Sequence, residues 1–190
     1  LEYCVGGSTV LDAGKGFDSY LWTDSSIGQT FDVTGPGDYA VTVTDGSGCS
    51  GETLVSVLEN NLPSLTISGN IPICTGAEIT LNAGNGFDTY IWSDMSLNQT
   101  LLVEAGGTFS VVVTDANNCS NEATVDVVEN PNPIPVISGD SDFCVGEVVT
   151  LATGIYDQYE WSDNSGNATL DITTGGTYAV IVTDTNNCTG

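Results

Sequence analysis

An all-β fold, arranged as a tandem array of three small antiparallel β-sandwiches, is what this sequence predicts. Three observations carry that expectation. Apolar and polar residues alternate in short runs bounded by turn clusters, and no segment of useful length keeps a helical 3.6-residue period. Cysteine and tryptophan recur at a fixed step: Cys4, Cys74 and Cys144 by 70, Cys49, Cys119 and Cys188 by 70 and 69, and Trp22, Trp92 and Trp161 by 70 and 69. The surrounding text repeats with them, as LDAGKGFDSYLWTDSS, LNAGNGFDTYIWSDMS and LATGIYDQYEWSDNS. Self-similarity at one period marks tandem supersecondary units.

Charge narrows the function. The 190 residues hold 25 Asp+Glu, one Lys+Arg and no His, for a formal net charge of −24. Nucleic-acid binding needs cations to displace counterions from phosphates, and Lys15 is the sole candidate. Docking to an anionic bilayer fails on the same ground. No run approaches the 18 apolar residues of a spanning helix, so direct membrane insertion is not expected. Without His, schemes built on Ser–His, Cys–His or His-ligated zinc are closed as well. A hydrophobic content of 40% is too high for a disordered acidic tail, so the chain should fold.

The joints fall in VLENNLPSLTISGN and VVENPNPIPVISGD, where Pro63, Pro131, Pro133 and Pro135 favour an extended, semi-rigid connection. They divide the chain into repeat 1 (1–59), repeat 2 (60–130) and repeat 3 (131–190). Within each repeat the first strand expected after the leading cysteine covers Thr9–Leu11, Ile79–Leu81 or Val149–Leu151. The tryptophan strand follows. Between Tyr20 and Trp22, Tyr90 and Trp92, and Tyr159 and Trp161 stand Leu21, Ile91 and Glu160. A face that accepts Glu is solvated, so all six aromatic residues should point into the core. Thr30–Val33, Thr100–Val103 and Thr169–Ile172 give the next strand. The last core strand carries Tyr39-Val41-Val43, Phe109-Val111-Val113 and Tyr178-Val180-Val182 on its inner face. In repeat 2 a lead-in strand (Leu62–Ile67) and a closing strand (Ala123–Val128) are also expected, making that repeat complete. Repeat 1 should lack the first strand and repeat 3 the last, either because the array continues or because neighbouring subunits supply strands. Six or seven short strands in about 70 residues fit a small immunoglobulin-like sandwich.

Such a unit lies near the lower size limit for a self-sufficient core, and cysteines can compensate. Six cysteines allow fifteen pairings. One pair per repeat tiles along an array, which predicts Cys4–Cys49, Cys74–Cys119 and Cys144–Cys188.

Three carboxylate series recur: Asp18, Asp88 and Asp157; Asp24, Asp94 and Asp163; Asp45, Asp115 and Asp184. Asp before Gly or Asn is ordinary turn chemistry, its oxygen accepting from backbone N–H groups. Hard oxygen donors in a strongly anionic chain also make these nine residues candidate calcium ligands, although no run has the D-x-D-x-D-G form. No cofactor is required. Paired carboxylates alone do not make a glycosidase, and here they recur in every copy as scaffold residues do, so catalysis is not expected.

The cadence Y-x-W-S/T-D…G-T-Y-x-V-x-V-T-D-x-N-x-C resembles the PKD-like and immunoglobulin-like repeats of large Bacteroidota cell-surface proteins. TYAVIVTDTNNCT is similar to the core of repeats in SprB-type gliding adhesins. The resemblance implies export by type IX secretion and display at the bacterial cell surface or in the medium. It implies a structural or adhesive role in surface attachment, gliding motility or an extracellular filament. Partners would be neighbouring repeats, identical subunits or surface glycans. Two other expectations stand beside it: a spacer or carbohydrate-binding module of a secreted polysaccharide-degrading enzyme, and a strand-exchanging filament subunit.

Overall fold

The computed structural model describes residues 1–69 and 71–190; Asn70, which closes the first joint, lies outside the described residues. All regular structure among them is strand. Repeat 1 holds β1 (Glu2–Cys4), β2 (Thr9–Asp12), β3 (Ser19–Trp22), β4 (Thr30–Val33), β5 (Gly37–Thr44) and β6 (Ser50–Asn60). Repeat 2 holds β7 (Ile73–Cys74), β8 (Ile79–Asn82), β9 (Thr89–Trp92), β10 (Thr100–Val103), β11 (Gly107–Thr114), β12 (Ser120–Val127) and β13 (Glu129–Asn130). Repeat 3 holds β14 (Val149–Ala152), β15 (Gln158–Trp161), β16 (Thr169–Ile172) and β17 (Val180–Thr183).

In repeat 1 one sheet has the order β1-β6-β5-β3 and the other pairs β2 with β4. All pairings are antiparallel except β1 on β6, which runs parallel and sets Cys4 opposite Asn60. The inner faces meet in one core. Leu11 and Val33 come from the two-stranded sheet, and Tyr3, Trp22, Val41 and Val57 from the four-stranded one. Alternation explains the choice: Trp22 is buried while Leu21 beside it stays 52% exposed. Burial of each such large side chain is worth about 1.5–3 kcal/mol.

The order is that of an immunoglobulin-like sandwich, with two of its usual marks. Strands β3, β9 and β15 each bury a tryptophan. Where the fifth strand begins in repeat 1, the Tyr39 hydroxyl donates back to the Gly35 carbonyl at 2.8 Å, and Tyr178 does the same to Thr174 at 2.8 Å. Repeat 2 has Phe109 there and dispenses with this corner. Repeat 3 pairs β14 with β16 and β15 with β17 around Val149, Leu151, Trp161, Leu170 and Ile172.

Compact units do not follow the three sequence segments. Unit 1 comprises Leu1–Ile67, Ala83–Gln99 and Ser110–Ala123, and unit 2 comprises Ser68–Asn82, Thr100–Phe109 and Thr124–Gly190. Repeat 2 therefore contributes residues to both.

Two strand expectations change. The lead-in Leu62–Ile67 forms no strand; beyond it only Ser68 bridges to Asn82, as Ser138 does to Ala152. Pro63 has no N–H to give a ladder. Repeat 1 consequently holds a counterpart of every strand in repeat 2. In repeat 3, Phe143–Cys144 is not a strand, because the parallel partner supplied by Leu58–Asn60 or Glu129–Asn130 has no counterpart there.

Candidate functional site: the cysteine junctions

Each leading cysteine opens the same tight turn. Gly7, Ala77 and Glu147 donate their N–H to the carbonyls of Cys4, Cys74 and Cys144 at 2.9, 2.9 and 3.0 Å. The second residue after each cysteine is glycine because the backbone there is left-handed, with φ of 81°, 80° and 94° at Gly6, Gly76 and Gly146.

Each trailing cysteine is held by the third aspartate series. Asp45 Oδ1 accepts from the N–H of Ser47 at 2.9 Å and of Cys49 at 3.0 Å. Asp115 accepts from Asn117 and Cys119, both at 2.9 Å, and Asp184 from Asn186 at 2.8 Å and Cys188 at 2.9 Å. The aspartate N–H in turn donates to the cysteine carbonyl at 3.0 Å in all three copies. The left-handed residue is Gly48, Asn118 or Asn187. This is Asx-turn geometry, and its product is a cysteine presented in a fixed orientation.

The pairing is not the one expected from tiling. Cys4 is bonded to Cys119 and Cys74 to Cys188, each with Cα atoms 5.5 Å apart, while Cys49 and Cys144 are free and exposed. The expected Cys4–Cys49, Cys74–Cys119 and Cys144–Cys188 bridges do not form. Repeat 1 shows the reason. Cys49 immediately precedes β6 and Cys4 lies opposite its last residue, Asn60. Eleven strand residues therefore separate them, roughly 35 Å of extended chain. A disulfide needs Cα atoms within about 7 Å. The leading cysteine of one repeat meets the trailing cysteine of the next instead, and that arrangement tiles equally well.

Both bridges sit at a joint. In unit 1, which holds Cys4 and Cys119, the Asn121 side-chain amide donates to the Pro63 carbonyl at 2.9 Å. In unit 2, which holds Cys74 and Cys188, Asn132 donates to the Thr75 carbonyl at 3.1 Å. Gly190 takes the place of Asn121 there and lies so close to the Pro133 carbonyl that a Cβ would overlap it. Closing loops of 115 and 114 residues is worth about 5 kcal/mol for one such bridge in the chain-entropy model.

The other predicted residues fall as follows. Trp22, Trp92 and Trp161 are buried and donate their indole N–H to the carbonyls of Gly28, Asn98 and Asn167 at 2.8–2.9 Å. Tyr20, Tyr90 and Tyr159 are half-buried, with their hydroxyls on the carbonyls of Gly14, Gly84 and Gly154. The N–H groups of Asp18, Asp88 and Asp157 donate to Thr44, Thr114 and Thr183, tying the loop to the core strand. Asp24, Asp94 and Asp163 accept from the N–H of Ser26, Ser96 and Ser165 at 2.8–2.9 Å. Hydrogen bonds from those serines hold the three carboxyls below the ordinary aspartate range. Among the described residues no three His, Cys, Asp or Glu side chains gather in a way that could hold a metal ion. In six of the nine aspartates, Asp24, Asp94, Asp163, Asp45, Asp115 and Asp184, Oδ1 accepts from backbone N–H groups. Sequence reasoning missed the joint residues Asn121 and Asn132, whose only signal was a position beside proline and cysteine.

No family model and no curated protein matches the chain. Among solved structures it is similar to the N-terminal eight Ig domains of the Down Syndrome Cell Adhesion Molecule, at 15% identity and a TM-score of 0.42, over 95% of this chain and 38% of that one. It is similar to the I-band fragment I67–I69 of titin, at 10% identity and a TM-score of 0.35, over 97% and 82%. It is also similar to SGBP-B of the Bacteroides ovatus mixed-linkage glucan utilization locus, solved with a heptasaccharide, at 13% identity and a TM-score of 0.26, over 99% and 60%. The chain spans well under half the length of the first of these. Likeness at this level carries no argument about activity; the fold rests on the strand order and register above.

Proposed function

We propose that the chain is a structural and adhesive segment of a large extracellular surface protein or filament. Its tandem sandwiches are stapled across repeat boundaries, so that load passes through covalent bonds as well as through strand ladders. The observation that carries this reading is the staggered pairing of Cys4 with Cys119 and Cys74 with Cys188. A bridge inside each sandwich would stabilise only that sandwich. A bridge from one repeat to the next limits how far the array can extend.

Disulfides persist in oxidising compartments, which supports placement outside the cytoplasm. The Y-x-W and V-T-D-x-N-x-C cadence supports the finer reading: a repeat region of a Bacteroidota surface adhesin exported by type IX secretion, serving attachment or gliding. Its proposed partners are neighbouring repeats, identical subunits or surface glycans, and the staggered bridging of adjacent repeats supports the first of these.

Stretching single molecules by the two termini tests the mechanical part. Fully reduced, the chain should extend to roughly 650 Å, and oxidised to roughly 180 Å, because the covalent path then runs through both bridges and the Cys74–Cys119 segment alone. Equal extension in the two states would remove the load-bearing role.

A further inference from the structure

The two bridges obey one rule: the leading cysteine of a repeat bonds the trailing cysteine of the repeat that follows. Applied to Cys144 and Cys49, that rule leaves two complementary ends. Both are built like their bonded counterparts. Cys49 has the same aspartate-clamped turn as Cys119 and Cys188, down to the left-handed residue before it, yet it is exposed where those two are fully buried. Cys144 opens the same glycine turn as Cys4 and Cys74.

A second observation concerns what seats beside the leading cysteine. The cleft at Cys74 is lined by Ile71, Pro72 and Ile73 and also by Asn186 and Asn187, the turn that brings Cys188 to its partner. Seventy residues on, Ser141, Asp142 and Phe143 precede Cys144 as Ile71, Pro72 and Ile73 precede Cys74; with exposed Val145 they line a cleft whose other wall is Thr173, Thr174 and Gly175, and no trailing-cysteine turn lines it. The residues that would enter are the equivalents of Asn186-Asn187, which in repeat 1 are Ser47-Gly48.

We infer that Cys144 and Cys49 are junction sites for further repeats of this same kind: Cys144 bonds the trailing cysteine of a repeat that follows, and Cys49 the leading cysteine of one that precedes. The inference rests on the array reading above and names its partner. Bond formation takes one thiol from each side. Two protons and two electrons leave, a sulfur–sulfur bond forms, and a disulfide oxidant such as oxidised glutathione is reduced to two thiols by exchange.

The test lengthens the chain by repeating residues 122–190 once after Gly190 and folds it in a glutathione redox buffer. Peptide mapping without reduction should show Cys144 bonded to the trailing cysteine of the added repeat, and a thiol reagent should no longer label it. In parallel, Cys49→Ser and Cys144→Ser chains of the original length are mixed and oxidised. The bond between Cys144 of one and Cys49 of the other should exceed either like-with-like dimer at least tenfold. Cys144 still labelled in the lengthened chain, or bonded elsewhere, overturns the inference. So does a statistical mixture of 49–49, 49–144 and 144–144 dimers. Bridge mapping reads bond partners and not extension, so failure of the stretching experiment leaves this result standing, and the reverse holds too.

Discussion

The turn that carries Cys49 and the turns that carry Cys119 and Cys188 share one set of hydrogen bonds and meet different fates. In all three, an aspartate oxygen receives the N–H groups two and four residues on, and the cysteine carbonyl receives the aspartate N–H. Two of these cysteines are fully buried in a disulfide, and the third is free. Turn shape is therefore local, written into T-D-x-x-x-C. Burial and bonding are conferred by the leading cysteine of the repeat before.

The comparison is broken most severely at the sulfur. Cys119→Ser should cost about 2–5 kcal/mol in chemical denaturation, whereas Cys49→Ser should stay within about 0.5 kcal/mol. In the native, unreduced protein a thiol reagent should label Cys49 and Cys144 and spare the four bridged cysteines. Labelling of Cys4 or Cys119 would show that the staggered bridge is not the resting state.

A smaller effect tests whether the clamp is local. Asp45→Ala and Asp115→Ala should each cost roughly 1–2 kcal/mol, since each releases two backbone donors. A near-zero cost at Asp45 alone would mean that the turn at Cys49 is not independently formed.

Acid offers a control region away from the junctions. The serine hydrogen bonds that lower Asp24, Asp94 and Asp163 favour the ionised form in the folded chain. Their contribution is fully present above the ordinary aspartate value and disappears as pH falls through the lower folded values. Melting temperature should thus decline as pH drops below the usual carboxylate range, and Asp94→Asn should flatten that decline slightly. An unchanged slope would remove the serine turns as its source. The least change is expected from Gly48→Asn, which places in repeat 1 the residue that repeats 2 and 3 already use at a left-handed position. Its stability should move by no more than about 0.5 kcal/mol.

Strand faces were legible because three copies vary at one position and hold the next. Glu160 in the slot of Leu21 and Ile91 marks the wet side, and the tryptophans follow inward by parity. The sulfur pairing was not legible from spacing, since a repeating set of cysteines can be paired within repeats or across them with the same regularity. What separates the two is the direction and length of β6. It begins just after Cys49 and ends opposite Cys4. The alternating run SGETLVSVLEN holds that information, but only once β1 is known to lie parallel to it. The lead-in Leu62–Ile67 is extended in sequence character but forms no strand, because Pro63 removes a donor that a ladder there would need.

The overlap of the two sulfur-closed loops gives the chain tolerance to damage. A protease that hydrolyses any single peptide bond between Cys4 and Cys188 leaves two pieces still tethered, and a cut between Cys74 and Cys119 leaves them tethered twice. Bridges kept within each repeat would have left the proline-containing connectors as places where one nick releases everything beyond it.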